Sequence, residues 1–538
     1  MEINWLNQLG DWNPQLFREL KGRLRPRNVA IAVIISLVGQ ILTLICFYTQ
    51  LPLDPFPDLE FASRNRYFIG GGKPFLESIN FALWWLDIFR LFSWILPVIL
   101  LVGSVYMLIN DLTQEEQRGT LNFIRLSPQS SQNILMGKIL GVPILLYLAL
   151  GVAVPLHWIA AIGAGISLGI VFCFYLLFGA VCLLFNSAAL LYALLGGGQP
   201  GVGSILSLVL GIPCIQVINY YLYAITEKNF DWTWVLQNKL QWFYLPIGSN
   251  LAIAYSFTMG SCALGIYWIW QALNRRFCNP SSTLISKKQS YWINACFTGL
   301  MLGFFLPILQ FNLGGEELLG CLGFIATLNL IWFLVLIAAL LPQRQALQDW
   351  ARYQHKQRTP NKGLWSHSLL QELVWGEKSP ALVAIALNIA IAALIWIPWI
   401  LLWSVNTYKT QAIFGLLLSL SLILIYSAIA ELLRFMKTPK RNLWAGGILS
   451  TTMFLPPLVS AVLSSGDPQG ITATILLFSP FLWIGLDHVA GTTTFFVLLA
   501  QWSVFAVLSL QLTRQLKKAG ESASKELLSR HVLQASRR

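Results

Sequence analysis

Apolar runs of about 20 residues, the length a helix needs to cross a hydrocarbon core, recur from one end of this chain to the other. A soluble domain has no place to bury so many uninterrupted apolar segments, and the short alternating pattern of a membrane β-barrel is absent. Hydrophobic residues make up 56% of the 538 positions and charged residues 11%. The sequence therefore predicts an all-α polytopic membrane protein.

Twelve spans are expected. In the first half they run Val29 to Thr49, Ile88 to Ile109, Gly137 to Ala160, Ile166 to Leu191, Ile205 to Ala224 and Ser249 to Ala272. In the second half they run Trp292 to Phe311, Leu318 to Leu341, Ala381 to Val405, Ala412 to Leu433, Leu443 to Leu463 and Thr492 to Leu512. A further apolar piece, Ile471 to Leu486, is short and interrupted by Ser479-Pro480, and it reads as a re-entrant or interfacial helix.

Basic residues collect on the cytoplasmic side of membrane proteins. With twelve crossings and both termini inside, the inner segments hold 29 of the 36 Lys and Arg residues. A thirteenth crossing would move the seven cations of the tail outside. The net charge of +13 is thus a consequence of topology, and nucleic acid is not needed to explain it. No small-residue cleavage pattern follows the first span, which is expected to stay in the membrane. The eight cysteines stand singly with no CxxC spacing, and the five histidines lack ligand spacing, so no disulfide framework, metal site or cofactor is expected.

Ahead of the first span, Asn13 to Arg25 reads as an amphipathic helix capped by Asn13 with Pro14 at its first position. Leu16, Phe17, Leu20 and Leu24 share one face. Arg18, Lys21, Arg23 and Arg25 are available to lipid phosphates, which makes residues 1–28 a cytoplasmic interfacial anchor.

The polar interruption between the second and third spans carries Glu115-Glu116-Gln117-Arg118-Gly119-Thr120-Leu121, then Arg125-Leu126-Ser127-Pro128, then Gly137-Lys138. Glu115 to Arg125 is expected to be helical with Leu121 and Ile124 on one side. Ser127 is expected to cap a following helix that has Pro128 in its first position.

This ordered pattern resembles the cytoplasmic coupling region of ABC-2 type transporter permeases. There an acidic-x-Arg-Gly-Thr-Leu run, a Ser/Thr-Pro turn and a Gly-Lys before the third span occur in the same order. The direct match covers Glu115 to Gly141, and the surrounding plan of amphipathic helix and six spans extends over residues 13–275. The resemblance implies a membrane-spanning exporter subunit in a bacterial-type plasma (inner) membrane, driven by a separate ABC ATPase. Glu115, Glu116, Arg118, Gly119, Thr120 and Leu121 would lie at or near that contact, with Ser127, Pro128, Gly137 and Lys138 completing the loop 110–138.

The chain has no phosphate-cradling GxxxxGK[ST] loop of its own. Gly70-Gly71-Gly72-Lys73-Pro74 lacks the leading glycine and the Ser/Thr, and Leu195-Gly196-Gly197-Gly198-Gln199 reads as a turn between spans. ATP would therefore be bound by the partner, and the chain is not expected to be an enzyme.

A diverged second half is also expected. Pro26 to Ala32 aligns with Pro380 to Ala386, and each is preceded by a Glu-Leu pair, Glu19-Leu20 and Glu372-Leu373. In that register Lys437, Thr438, Pro439, Lys440 and Arg441 form a reduced second coupling loop. A competing register pairs Ile205-Leu206-Ser207 and Pro213 with Ile448-Leu449-Ser450 and Pro456. The domain plan is an anchor over 1–28, an ABC-2 type unit over 29–275, two spans and a basic loop over 276–380, a second unit over 381–513, and a basic tail over 514–538. One chain could then supply both halves of a pathway, whereas six-span relatives pair as a homodimer or with a second permease.

Two other classes compete. An integral-membrane glycosyltransferase on lipid-linked sugar would use outer-loop carboxylates, which Asp54, Asp58 and Glu60 supply. An ion-coupled carrier would need ionisable groups within the membrane, for which Asp87, Arg90, His157, Glu431, Asp487 and His488 are candidates near span ends.

Overall fold

The computed structural model describes residues 10–52, 65–68, 79–226, 241–248, 250–307, 314–357, 367–403, 406–438, 441–464 and 469–521. The described residues are overwhelmingly α-helical, and their only β contacts are two isolated bridges. Among the described residues, eleven helices are long and apolar enough to cross a membrane. They overlap the predicted spans except in the Trp292 to Phe311 region, and the third starts later than expected. There the helix Lys287–Phe305 begins on two lysines and the following residues 308–313 lie outside the description. The chain divides into two compact units, one comprising Met1–Lys239 and Ile247–Cys278, the other Leu240–Pro246 and Asn279–Arg538.

The first unit contains α1 (Pro14–Arg23), α2 (Pro26–Tyr48), α3 (Phe81–Gln117), α4 (Thr120–Arg125), α5 (Ser131–Gly141), α6 (Ile144–Gly163), α7 (Leu168–Leu194), α8 (Pro200–Thr226) and α9 (Leu251–Cys278). Helix α3 is its axis: α6, α7 and α8 pack around it, α2 lies against α6, and α9 lies against α7. At 37 residues, α3 is about 55 Å long, more than a hydrocarbon core of about 30 Å requires, so both its ends must emerge into polar surroundings. The Gly196 to Gly198 run forms the predicted turn between α7 and α8, with Gly196 at φ +84 where a side chain would be strained.

The third predicted span is broken. It was expected to run unbroken from Gly137, but the membrane helix α6 starts at Ile144, and Gly137-Lys138 belong to the separate short helix α5. Pro143, which has no N–H to continue the ladder, separates the two.

The second unit contains α10 (Lys287–Phe305), α11 (Gly315–Leu340), α12 (Arg344–Gln357), α13 (His367–Trp375), α14 (Leu382–Leu401), α15 (Asn406–Leu433), α16 (Arg441–Leu463), α17 (Ile471–Leu476), α18 (Leu482–Gly485) and α19 (Gly491–Gly520). Helix α15 is the most buried span of the unit and packs against α11, α14, α16 and α19. Between α17 and α18 the chain breaks at Ser479-Pro480, as the sequence suggested, and neither piece is long enough to cross.

Three of the buried ionisable groups are engaged with the fold. Ser93 donates to the Phe89 carbonyl, so its oxygen is left to accept from His157 Nε2 at 3.1 Å, while Tyr175 donates to Nδ1 at 2.7 Å. That assigns a neutral ring with both nitrogens satisfied. Glu431 accepts from the Ala381 and Leu382 amides at 2.9 and 3.2 Å, capping the N-terminus of α14, where a carboxylate is favourable. Lys287, also buried, donates to the Leu373 and Pro380 carbonyls and to Ser379 Oγ. These contacts join α10, α13, α14 and α15 into one junction.

Candidate functional site: a charged junction beneath an exposed short helix

The helix predicted over Glu115 to Arg125 is two helices. Gln117 ends α3, Gly119 adopts φ +72, and α4 starts at Thr120. The Arg118 and Gly119 amides close onto the Gln114 and Glu116 carbonyls. This is the usual way a glycine in the left-handed region terminates a helix and redirects the chain. Thr120 Oγ1 donates back to the Glu115 carbonyl at 3.1 Å and tightens the corner.

Helix α4 presents two apolar faces. Leu121 and Ile124 are buried in a cluster with Leu108, Leu112, Leu135 and Phe277. Phe123 and Leu126, the second just past the end of α4, point the other way and are 77% and 83% exposed. Exposing two large apolar residues side by side forgoes burial worth about 1.5–3 kcal/mol each. Glu116, Arg118 and Thr120 are exposed beside them. Arg125 lies with its guanidinium 5.6 Å from the Phe277 ring centre; burial there lowers its pKa from the ordinary guanidinium value, against the pull of Glu116.

Ser127 does not cap α5. It lies in the turn with Pro128, and Ser130 is the cap, its hydroxyl accepting from the Asn133 amide at 3.2 Å.

Beneath α4 lies an ionic junction that the sequence did not reveal. Lys138, 0% exposed, places Nζ 2.7 Å from Asp111, 2.7 Å from Glu115 and 3.8 Å from Glu19. Arg23 reaches Asp111 at 2.6 Å and Glu19 at 3.2 Å, and Arg18 reaches Glu115 at 2.7 Å. Three carboxylates thus face three cations contributed by α1, α3 and α5. The carboxylates approach one another within 4.8 Å, as metal ligands would. The Lys138 ammonium stands among them and supplies the positive charge a metal would bring, so the trio reads as an ion-pair network.

Close backbone approach makes this geometry attainable. Asn13 caps α1 by accepting from the Leu16 amide and donates to the Asn133 carbonyl at 2.8 Å. A Cβ on Gly137 would come within 2.9 Å of the Leu16 backbone nitrogen, and one on Gly141 within 2.5 Å of Glu19 Cβ. Both glycines therefore serve the contact between α1 and α5. Of the four cations expected to meet lipid phosphates, Arg18 and Arg23 are turned into the junction.

The expected coupling residues consequently fall into two groups. Glu116, Arg118 and Thr120 are accessible, whereas Leu121, Gly137 and Lys138 are buried and Glu115 is committed to Lys138 and Arg18. Phe123 and Leu126 were missed because their exposure depends on Gly119 resetting the helical phase. In the second unit Lys437 and Thr438 are exposed ahead of α16, which begins at Arg441; Pro439 and Lys440 lie outside the described residues. The same is true of Asp54, Asp58, Glu60 and the Gly70 to Pro74 run. No protein-family model, curated protein or solved structure matches the chain.

Proposed function

We propose that the protein is the membrane-spanning permease subunit of an ATP-binding cassette exporter of the ABC-2 type, and that α4 is the element through which a separate ATPase moves it. The observation that carries this reading is the mounting of α4. An exposed apolar pair stands on a buried base of Leu121 and Ile124, joined by the Gly119 corner to the end of the most buried span of its unit, where an ion-pair network ties α1 and α5 to that same end. Force applied at Phe123 and Leu126 would pass into α3 through Leu121 and Ile124 and into α1 and α5 through Lys138. The corner at Gly119 leaves α4 free of the axis of α3, as a lever needs. On this reading α4 and the junction lie on the cytoplasmic side, where ATP is available, and the substrate moves along the helices of one or both units.

Glu115 and Glu116 separate the structural and contact roles. Reversing Glu116, an exposed residue, to lysine should weaken co-purification of the ATP-binding subunit several-fold and leave the thermal midpoint of the chain unchanged, because only a rim charge has changed. Undiminished co-purification of that subunit would argue against the assignment.

A further inference from the structure

Between α7, α8 and α9, all of them candidate spans, lies a cavity of about 520 Å³. It sits at the end of the first unit opposite α4. The C-terminal ends of α7 and α9 reach the cluster under α4 through Leu190, Leu194 and Phe277. The cavity is lined instead from the N-terminal halves of those two helices and from Ile218 and Leu222 of α8. From Ser167 to Leu177 the chain rises about 15 Å along α7, half the thickness of a hydrocarbon core of about 30 Å. The lining thus spans about the depth of one leaflet.

The lining changes character along that depth. At the N-termini of α7 and α9 it carries the hydroxyls of Ser167, Tyr255 and Ser256. Farther in it is walled by Phe174, Leu177 and Ile218, which belong to the buried core of the unit. Ser167 caps no helix amide. Tyr255 donates to the Cys173 carbonyl at 3.2 Å, which leaves its oxygen able to accept a further bond. None of the described lining residues carries a charge. Small residues form the mouth: Gly169, Cys173, Ala252 and Ser256 are exposed, and a Cβ on Gly169 would meet no atom within 4 Å.

We propose that this cavity takes one hydrocarbon chain of an uncharged amphiphile, a lipid whose head offers hydroxyl or ester groups to Ser167, Tyr255 and Ser256. Its volume of about 520 Å³ falls within the range of small-molecule sites, roughly 300–1,000 Å³, which pair a mostly apolar lining with a few placed polar groups. An empty void beside Phe174 and Leu177 would forfeit dispersion contacts that an alkyl chain restores. A sugar in the same place would leave hydroxyls unpaired against those side chains. A phosphate at the mouth would find no cation among the described lining residues to offset its desolvation. The site rests on the membrane placement of α7 and α9 and stands apart from the ATPase assignment.

The test uses the full chain in phosphatidylcholine nanodiscs with a monoacylglycerol that carries a photoreactive diazirine midway along its acyl chain, the adducts being mapped by peptide mass spectrometry. Adducts at Phe174, Leu177 and Ile218 should saturate and be displaced by unlabelled monoacylglycerol. Those on exposed residues of α2, such as Ile35 and Ile41, should rise in proportion to the probe. Gly169→Phe, which projects a ring into the cavity, should remove the saturable adducts. Gly39→Phe, the same change on α2 at a glycine with open space around it, should leave them unchanged. Should Gly169→Phe fail to fold, Cys173→Phe fills the same space from the next turn. The same probe phosphorylated on its glycerol should label the cavity several-fold more weakly. Equal labelling by the phosphorylated probe would overturn the uncharged class. Cavity adducts that do not saturate, or that persist undiminished in folded Gly169→Phe or Cys173→Phe, would overturn the site itself.

Discussion

Replacing Lys138 with methionine should cost the folded chain about 3–5 kcal/mol, because removing one partner of a buried ion pair leaves the other charge uncompensated. Here the effect is compounded. Asp111, Glu115 and Glu19 lie within 4.8 Å of one another, and without the ammonium two arginines must balance three carboxylates. Methionine keeps most of the side-chain volume, so the loss reports on charge and not on a cavity. The measurement is thermal unfolding of the purified chain in detergent, which should show a clearly lower midpoint for Lys138→Met. Adding Asp111→Asn to that variant should restore much of the loss, since two neutral groups at that position are tolerated better than one unpaired charge. A wild-type midpoint for Lys138→Met would show that the junction does not hold α1, α3 and α5 together.

The second large effect concerns assembly. Phe123→Asp with Leu126→Asp alters two side chains that are 77% and 83% exposed and make no part of the buried cluster beneath α4. The folded chain should keep its thermal midpoint. If a partner covers both residues, the pair should forfeit about 3 kcal/mol or more of apolar burial, a weakening of at least about a hundredfold. Co-purification of the ATP-binding subunit, and ATP-dependent transport with it, should then be lost while the chain remains intact in the membrane.

The helical membrane class, the approximate positions of ten of the candidate spans and the break at Ser479-Pro480 were legible because hydropathy over 20 residues is a local property. The cap of α1 was legible for the same reason, since Asn13 and Pro14 act within one turn. The junction was not. Lys138 stood out only as half of a Gly-Lys pair, and its partners Asp111 and Glu19 lie on other helices at separations that no spacing rule connects. The sequence instead placed Gly137-Lys138 at the start of a span, because the apolar run through Pro143 looks continuous until the lost N–H is considered. Arg18 and Arg23 looked like lipid-facing cations since an isolated amphipathic helix offers no carboxylate to oppose them. Lys287 carries no sequence signal of its own, and its role in holding Ser379 and Pro380 becomes visible only when α10 and α13 are brought together. In the segment Glu115 to Leu126 the shared side of Leu121 and Ile124 was readable, but not the exposure of Phe123 and Leu126, which follows from the chain turning at Gly119, φ +72, to start α4 afresh.

The central claim, that α4 meets an ATP-driven partner, is tested most directly by site-specific photo-crosslinking. A photoreactive amino acid at position 123 of the otherwise native chain should crosslink, in membranes, to a polypeptide carrying a Walker A phosphate loop. The same group at position 209, on the exposed face of α8, should not. Crosslinks from position 123 to lipid alone, or to the same products as position 209, would contradict the account.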